Sequence, residues 1–398
     1  MSEDSIRRVT LIVLDSVGIG EAPDASDYGD AGAATLPHLA EAVNGLRLPV
    51  LQSLGLGNIA TLPEIARPIL GVAPAPCPAA AWGALRERSR GKDTITGHWE
   101  IAGLLMPTGF HVFPPGPPAF PDDLVRELER RTGRRVLGNK AASGTQIIQE
   151  LGAEHLRTGA WIAYTSADSV FQIAAHVEVV PLDELYRACA IARELCNPLR
   201  VGRVIARPFR GVPGHFERTA DRRDFAFPPP EPTVLEKLAE AGVPVRAVGK
   251  IEDIFLGRGI TESVHTGDTA ASQTAVEGLL AQGDRGLIFA NFIDFDMRYG
   301  HRRDAAGYAR ALEDTDRWLA TFLPRLGGAD VLLLTADHGN DPTFRGTDHT
   351  REYVPLLVFR PGRAGRPLGI RDGFYDIAAS LARAFGLPPW PRGTAFDL

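Results

Sequence analysis

The chain has 398 residues, of which 44% are apolar, 23% charged and 8% aromatic; these are the proportions of a folded globular protein, and a disordered, fibrous or small stapled chain is excluded. Its 43 Lys and Arg against 49 Asp and Glu leave a net charge of −6, which argues against a broad basic face for nucleic acid or an anionic membrane, so any anionic substrate must be held by a local site. Cys189 and Cys196 lie seven apart in a helical pattern, roughly 10 Å of rise and beyond disulfide reach, and the three cysteines make no disulfide framework.

In chain order, Val9–Asp15 reads as a buried strand, with others expected at Val245–Gly249, Leu287–Asp296, Val331–Asp337 and Pro355–Phe359. Helical periodicity falls over Asp268–Gln282, Asp304–Leu326 and Tyr375–Phe385, with Asp304 placed to cap its helix. Strands alternating with helices predict an α/β fold around a largely parallel sheet. Pro-rich stretches at Pro107–Pro121 and Phe225–Pro232 bracket a middle segment. Within it, helices at Asp122–Thr132 and Asp183–Leu195 alternate with strands at Arg135–Leu137, Trp161–Thr165 and Val201–Ala206. The expected organisation is a discontinuous core, residues 1–106 and 226–398, with an inserted α/β cap over 107–225. No apolar run approaches the ~18 residues that span a bilayer, and Met1–Arg8 leads into no secretory segment. A cytoplasmic protein is expected, with no nucleic-acid, membrane or obligate protein partner.

Three expected core strands end in acids: Asp15, Asp294 or Asp296, and Asp337. Ligands bind at the carboxyl ends of parallel strands, so these carboxylates should converge on one sheet edge. His301, His338 and His349 follow in sequence, and three Asp with three His are donors enough for two divalent transition-metal ions. In the run Gly91-Lys92-Asp93-Thr94-Ile95-Thr96-Gly97-His98-Trp99-Glu100, Thr94 and Thr96 both offer a hydroxyl that a metal could activate as a nucleophile.

That run, together with Asp15-Ser16-Val17-Gly18-Ile19-Gly20-Glu21-Ala22-Pro23-Asp24-Ala25, Tyr164-Thr165-Ser166-Ala167-Asp168-Ser169-Val170, Gly249-Lys250-Ile251-Glu252-Asp253-Ile254-Phe255, Asp294-Phe295-Asp296-Met297-Arg298-Tyr299-Gly300-His301-Arg302-Arg303-Asp304 and Thr335-Ala336-Asp337-His338-Gly339-Asn340-Asp341-Pro342, resembles the bacterial phosphopentomutase family of the alkaline phosphatase superfamily. The likeness runs from Asp15 to about His349. It implies an alkaline-phosphatase-like core and two manganese ions, one on Asp15, Asp337, His338 and the Thr94 oxygen, the other on Asp296, His301 and His349. It points to Thr94 over Thr96 as a nucleophile that carries a phosphoryl group, and to Asp296 over Asp294 as the ligand. It also implies sugar-phosphate contacts at Ser166, Asp168, Val170 and Lys250, interconversion of ribose 1-phosphate and ribose 5-phosphate or their deoxy forms, and activation by a sugar bisphosphate such as glucose 1,6-bisphosphate. Arg207 is a further phosphate-contact candidate from the residues themselves. A hydrolase or phosphoglycerate mutase of the same superfamily, and a phosphate-binding sensor on the same fold, are the competing readings.

Overall fold

The computed structural model describes residues 5–166 and 169–398. The chain divides into two compact units, one built from the residues up to Thr108 and from Pro229 onward, the other from Gly109–Pro228.

The first unit is organised by a sheet with the strand order Glu262–Val264, Val245–Val248, Gly286–Phe292, Arg8–Leu14, Asp330–Thr335, Glu352–Phe359, Ala81–Leu85, Pro367–Arg371. The first five run parallel to one another, and Glu352–Phe359 is antiparallel to both of its neighbours. Every residue of Arg8–Leu14, Gly286–Phe292 and Asp330–Thr335 is buried, which is why these strands read as continuous apolar runs. Leu14 pairs with Phe292 and Val13 with Thr335, so three adjacent strands finish at one level. The helices Thr269–Ala281, Ala305–Phe322 and Asp376–Ala384 occupy the expected segments, and the Asp268 and Asp304 side chains accept from Ala271 and Gly307 N–H at their N-termini.

One strand differs from its sequence reading. It was expected over Leu287–Asp296 but ends at Phe292, and Phe295–Gly300 forms a π-helical turn. The apolar pattern continued because Phe295 is buried against Tyr308, ring centroids 5.7 Å apart. Asp294 and Asp296 therefore do not share a strand face.

The second unit has its own sheet, ordered Val136–Ala141, Trp161–Thr165, Val170–His176, Arg203–Val212, His215–Arg218, with Arg223–Ala226 also paired to Arg203–Val212. Alternation along Trp161–Thr165 separates two cores. Trp161 and Ala163 pack with the helices Asp122–Thr132 and Leu182–Cys196, whereas Ile162 and Tyr164 pack with Gly144–Thr158. That last helix, and the strands Val170–His176, His215–Arg218 and Arg223–Ala226, were not anticipated.

Arg351 ties three segments of the first unit together. Its side chain is 2% exposed; it meets Glu87 Oε2 at 2.5 Å and Asp24 Oδ2 at 3.0 Å, and donates to the carbonyls of Ser89 and Gly91 at 2.9 and 2.6 Å. Burial pushes the Glu87 carboxyl well up, and only the guanidinium opposes it strongly. Removing one partner of such a buried pair costs about 3–5 kcal/mol, because the other is left unpaired. Arg351→Met should lower unfolding stability by that order in a denaturant titration, and adding Glu87→Gln should recover part of the loss. A loss below about 1 kcal/mol would refute the tie.

Candidate metal centre and nucleophile

Asp15 follows the strand Arg8–Leu14 and is 1% exposed; Asp337 follows Asp330–Thr335 and is fully buried. Asp296 reaches the same edge from the π-helical turn. Ser16 holds the turn after Asp15 in the left-handed region, φ +71°, which is uncommon for a residue with a side chain, and its N–H donates to Asp337 Oδ1 at 3.1 Å. Asp294 does a different job: its Oδ2 accepts from Thr269 N–H at 3.0 Å, capping a helix, and its Oδ1 lies 3.1 Å from Arg298.

The six expected donors come together. His301 Nε2 lies 3.1 Å from Asp296 Oδ2, and His349 Nε2 lies 3.3 Å from Asp296 Oδ1 and 3.2 Å from His301 Nε2. His338 Nε2 lies 3.5 Å from Asp15 Oδ1, 3.3 Å from Asp337 Oδ2 and 3.2 Å from Thr94 Oγ1. Ligand atoms of a tetrahedral ion with ~2.1 Å bonds stand about 3.4 Å apart, so these spacings fit metal coordination. Two donor groups result, Asp296 with His301 and His349, and Asp15 with Asp296 and His338; Asp296 thus stands in both.

Two further observations fit a metal. Asp15 Oδ1 and Asp337 Oδ2 are buried and accept no hydrogen bond among the described residues, a costly state for a carboxylate oxygen unless a cation takes it. Each histidine has a backbone carbonyl near Nδ1: Thr347 O at 2.7 Å from His301, Gly339 O at 3.1 Å from His338 and Lys92 O at 2.9 Å from His349. Donation there leaves every Nε2 lone pair directed into the cluster. The charges show the strain: burial, then repulsion from Asp337 and Asp296, pushes the Asp15 carboxyl well up. At Asp296 hydrogen bonds from His301 and His349 overcome burial and hold the carboxyl far down, and the same contact raises His301 to about 9.

Thr94 is the first residue of the helix Thr94–Ile101, whose N-cap Asp93 accepts from the N–H groups of Ile95 and Thr96. The Thr96 hydroxyl is buried and donates back to Asp93, while Thr94 Oγ1 faces His338. A Cβ on Gly97 would meet Asp337 O at 2.2 Å, so only glycine lets this helix sit against the Asp337 backbone. His98, fully buried, places Nδ1 2.9 Å from Thr94 O and 3.1 Å from Asp337 Oδ2, and Nε2 3.2 Å from Asn291 Nδ2, which also donates to Asp15 Oδ2. Asn291 lies inside a strand and carries no signal in the sequence, while His98, within the Gly91–Glu100 run, reads there as a packed or solvent residue more than a ligand.

Lys250 follows Val245–Val248 on the same edge, near enough for its charge to lower Asp15. Ser166 and Val170 lie in the second unit, lining a cavity of 340 Å³ with Arg203, Arg207, Arg218 and Arg222 and, among the described residues, no acidic side chain. Asp168 lies outside the described residues. Arg203, Arg218 and Arg222 were missed; Arg203 and Arg207 fall on one strand face, but Arg218 and Arg222 come from after the hairpin turn, which sequence spacing does not reveal.

A proton on His301 competes with a metal. Its folded pKa, about 9, exceeds the ordinary 6.5, so the charged contact with Asp296 stabilises metal-free protein fully below pH 6.5 and is lost as pH rises through 9. The melting temperature of chelated protein should therefore fall across that window, while the rise produced by added divalent metal grows. A metal-induced shift independent of pH between 6.5 and 9 would remove His301 from the ligand set.

A family model described as "Metalloenzyme superfamily" matches residues 7–389. The phosphopentomutase of Caldanaerobacter subterraneus subsp. tengcongensis is 56% identical over 393 residues, 98% of this chain and 97% of that one. Those of Anaeromyxobacter sp. strain K and Alkaliphilus oremlandii are 56% and 51% identical, over 96% and 98% of both chains in each case. Phosphoglycerate mutase from Leishmania mexicana, covering 99% of this chain and 98% of its own at 15% identity, superposes with a TM-score of 0.50 and attests the alkaline-phosphatase-like fold alone. At such identity and coverage the chain belongs to the phosphopentomutase family of metalloenzymes, and it is a metal-dependent isomerase acting on pentose phosphates.

Proposed function

We propose that the chain interconverts α-D-ribose 1-phosphate and D-ribose 5-phosphate, and the 2-deoxyribose pair, through a phosphothreonine at Thr94 and a sugar bisphosphate. The reaction would link nucleoside breakdown to central carbon metabolism in the cytoplasm. The observation that carries the reading is the placement of Thr94: first in its helix, hydroxyl 3.2 Å from His338 Nε2, with the neighbouring Thr96 hydroxyl consumed by Asp93.

In this reading two manganese ions are held, one on Asp15, Asp337 and His338 beside the Thr94 oxygen, supported by the His338 distances to Asp15, Asp337 and Thr94, the other on Asp296, His301 and His349, which stand together as one donor group. Bound there, they would neutralise charge on the transferring phosphoryl group and favour the threonine alkoxide. The helix N-terminus at Thr94 adds N–H groups and a positive dipole end that favour a phosphate. Lys250 offers a cation to substrate phosphate on the same edge.

C1 and C5 oxygens of one pentose cannot both lie in line with a single fixed phosphorus. Thr94 must therefore give its phosphoryl group to the free hydroxyl, and the bisphosphate must turn before Thr94 takes back the other. The second unit serves as the cap in this reading: Ser166, Asp168 and Val170 contact the sugar, and the cavity of four arginines takes the phosphate that is not being transferred. Dephosphorylated enzyme stalls until a bisphosphate such as glucose 1,6-bisphosphate rephosphorylates it.

With manganese present, ribose 5-phosphate formation from ribose 1-phosphate should exceed release of free phosphate; dominant phosphate release would make the protein a hydrolase. Thr94→Ala should lose on the order of 10⁴-fold or more in turnover, while Thr96→Ala still accepts phosphate, and intact mass should place one phosphate on the Thr94 peptide. Finding it on Thr96 would overturn the assignment. Arg203→Ala and Arg218→Ala should each raise KM by roughly 10–100-fold, the worth of a charge-assisted hydrogen bond, with hydrolysis of a small aryl phosphate unchanged. An unaltered KM in both would remove the cavity from substrate binding.

A further inference from the structure

A polar cluster inside the first unit connects the metal donors to the backbone of Thr94, and no step proposed above uses it. Its members, His98 and Asn291, are fully buried. Asn291 sits one residue before the end of the strand Gly286–Phe292, opposite Val13 of Arg8–Leu14 and so two residues short of the level of Asp15. Phe289, two residues earlier on the same strand face, carries the His98 ring, with centroids 6.0 Å apart and planes 26° from parallel. That stacking aims the imidazole along the strand at Asn291.

An amide nitrogen can only donate, and Asn291 Nδ2 divides its two hydrogens between Asp15 Oδ2 at 3.1 Å and His98 Nε2 at 3.2 Å. His98 Nε2 is therefore the accepting nitrogen, and Nδ1 carries the proton that it donates to Thr94 O at 2.9 Å, with Asp337 Oδ2 3.1 Å away. The opposite placement of the amide would turn its oxygen onto the Asp15 carboxylate. In the placement found, Asn291 Oδ1 is buried and accepts no hydrogen bond among the described residues, a costly state for a polar atom inside a strand. What the asparagine contributes is its NH2 group.

The contacts select which carboxylate oxygens stay open. Asn291 occupies Asp15 Oδ2 and leaves Oδ1, while Ser16 N–H occupies Asp337 Oδ1 and leaves Oδ2. The two left over are those that approach His338 Nε2, at 3.5 and 3.3 Å. His98 adds Thr94 to the same frame, because its one Nδ1–H lies between the Thr94 carbonyl and Asp337.

We propose that His98 and Asn291 are positioning residues for the ion beside Thr94: Asn291 turns one oxygen of Asp15 toward the cation, and His98 holds Asn291, Asp337 and the Thr94 backbone at a fixed separation. The inference rests on the assignment of that ion to Asp15, Asp337 and His338 and of the phosphoryl group to Thr94. Among the described residues, no hydrogen bond joins His98 or Asn291 to Asp296, His301 or His349, so the effect falls on one ion of the two.

The test is calorimetric titration of the full-length, chelator-treated chain with manganese. Two binding events are expected in the wild type, and Asp337→Asn should abolish one of them. Asn291→Leu, and His98→Gln, which lacks a donor at the Nδ1 position, should each weaken that same event by roughly 10–100-fold, the usual effect of removing a partner that orients a metal ligand. The other event should keep its wild-type affinity, which shows the variants folded. His98→Asn, whose amide can replace the Nδ1 donor, should recover part of the loss. At saturating manganese kcat should fall in Asn291→Leu and His98→Gln while KM for ribose 1-phosphate is unchanged. Retention of both binding events in Asp337→Asn would overturn the ion assignment and the inference with it. Where Asp337→Asn does lose one event, wild-type manganese affinity in both Asn291→Leu and His98→Gln, or an equal loss at the two events, overturns the positioning role.

Discussion

Repulsion among three buried carboxylates is the constraint around which the catalytic unit is built. Asp15, Asp296 and Asp337 are brought to one sheet edge with no more than 7% exposure each, where ionised oxygens interact through a medium far less screening than water. The protein relieves the repulsion unevenly. Asp296 is held ionised by His301 and His349, Asp337 by His338 and His98, and Asp15, with least help, is pushed toward its protonated form. The unevenness identifies where a cation is most needed. A metal beside Asp15 and Asp337 would take the two oxygens that no hydrogen bond reaches, and the backbone carbonyls that fix each histidine's Nδ1 leave the other nitrogen for the same purpose.

The turn that presents Thr94 is then held by buried polar ties instead of by its own length. A helix of 8 residues has little intrinsic stability. Asp93 caps it, Gly97 lets it touch the Asp337 backbone, and Trp99 Nε1 donates to Ile254 O at 3.0 Å, joining it to the helix that follows Lys250. Glu100, fully buried, accepts from the N–H groups of Arg88, Ser89 and Phe374, while Arg351 grips the carbonyls of Ser89 and Gly91. Asp93, Gly97, Trp99 and Glu100 thus each have a separate mechanical task in holding Thr94 in place.

How much of this was readable follows from what each signal encodes. Buried parallel strands are apolar throughout, so Arg8–Leu14 and Asp330–Thr335 announced themselves, and with them the acids at their ends. The same rule failed at Phe292, because hydrophobicity records burial and not backbone conformation: Phe295 is as buried in a π-helical turn as it would have been in a strand. The choice between Thr94 and Thr96 was open from the residues, and so was that between Asp294 and Asp296. What distinguishes the members of each pair is which hydroxyl or carboxylate a helix cap uses, a property of three-dimensional register. Arginines drawn from a strand and from beyond its hairpin, as at Arg203 and Arg218, are invisible to spacing for a similar reason: the pairing that unites them is set by the sheet.

The inserted unit follows the helix Thr94–Ile101 after a short connection, and an insertion there must not pull on Thr94. Each unit closes its own ends. In the catalytic unit Val234 N–H donates to Ala102 O at 2.9 Å, so the two residues that flank the excursion are hydrogen-bonded to each other. Within the inserted unit Phe110 meets Phe227 edge-on, centroids 5.9 Å apart, and Phe227 N–H donates to Gly202 O at 2.9 Å. A segment whose entry and exit are adjacent, with a core on both faces of its sheet, adds only a modest loop-closure cost to the fold that carries it. The helix Thr94–Ile101 is thereby anchored by contacts inside the catalytic unit, and the residues between Thr108 and Pro229 were free to acquire their own cavity without disturbing the geometry of the metal donors.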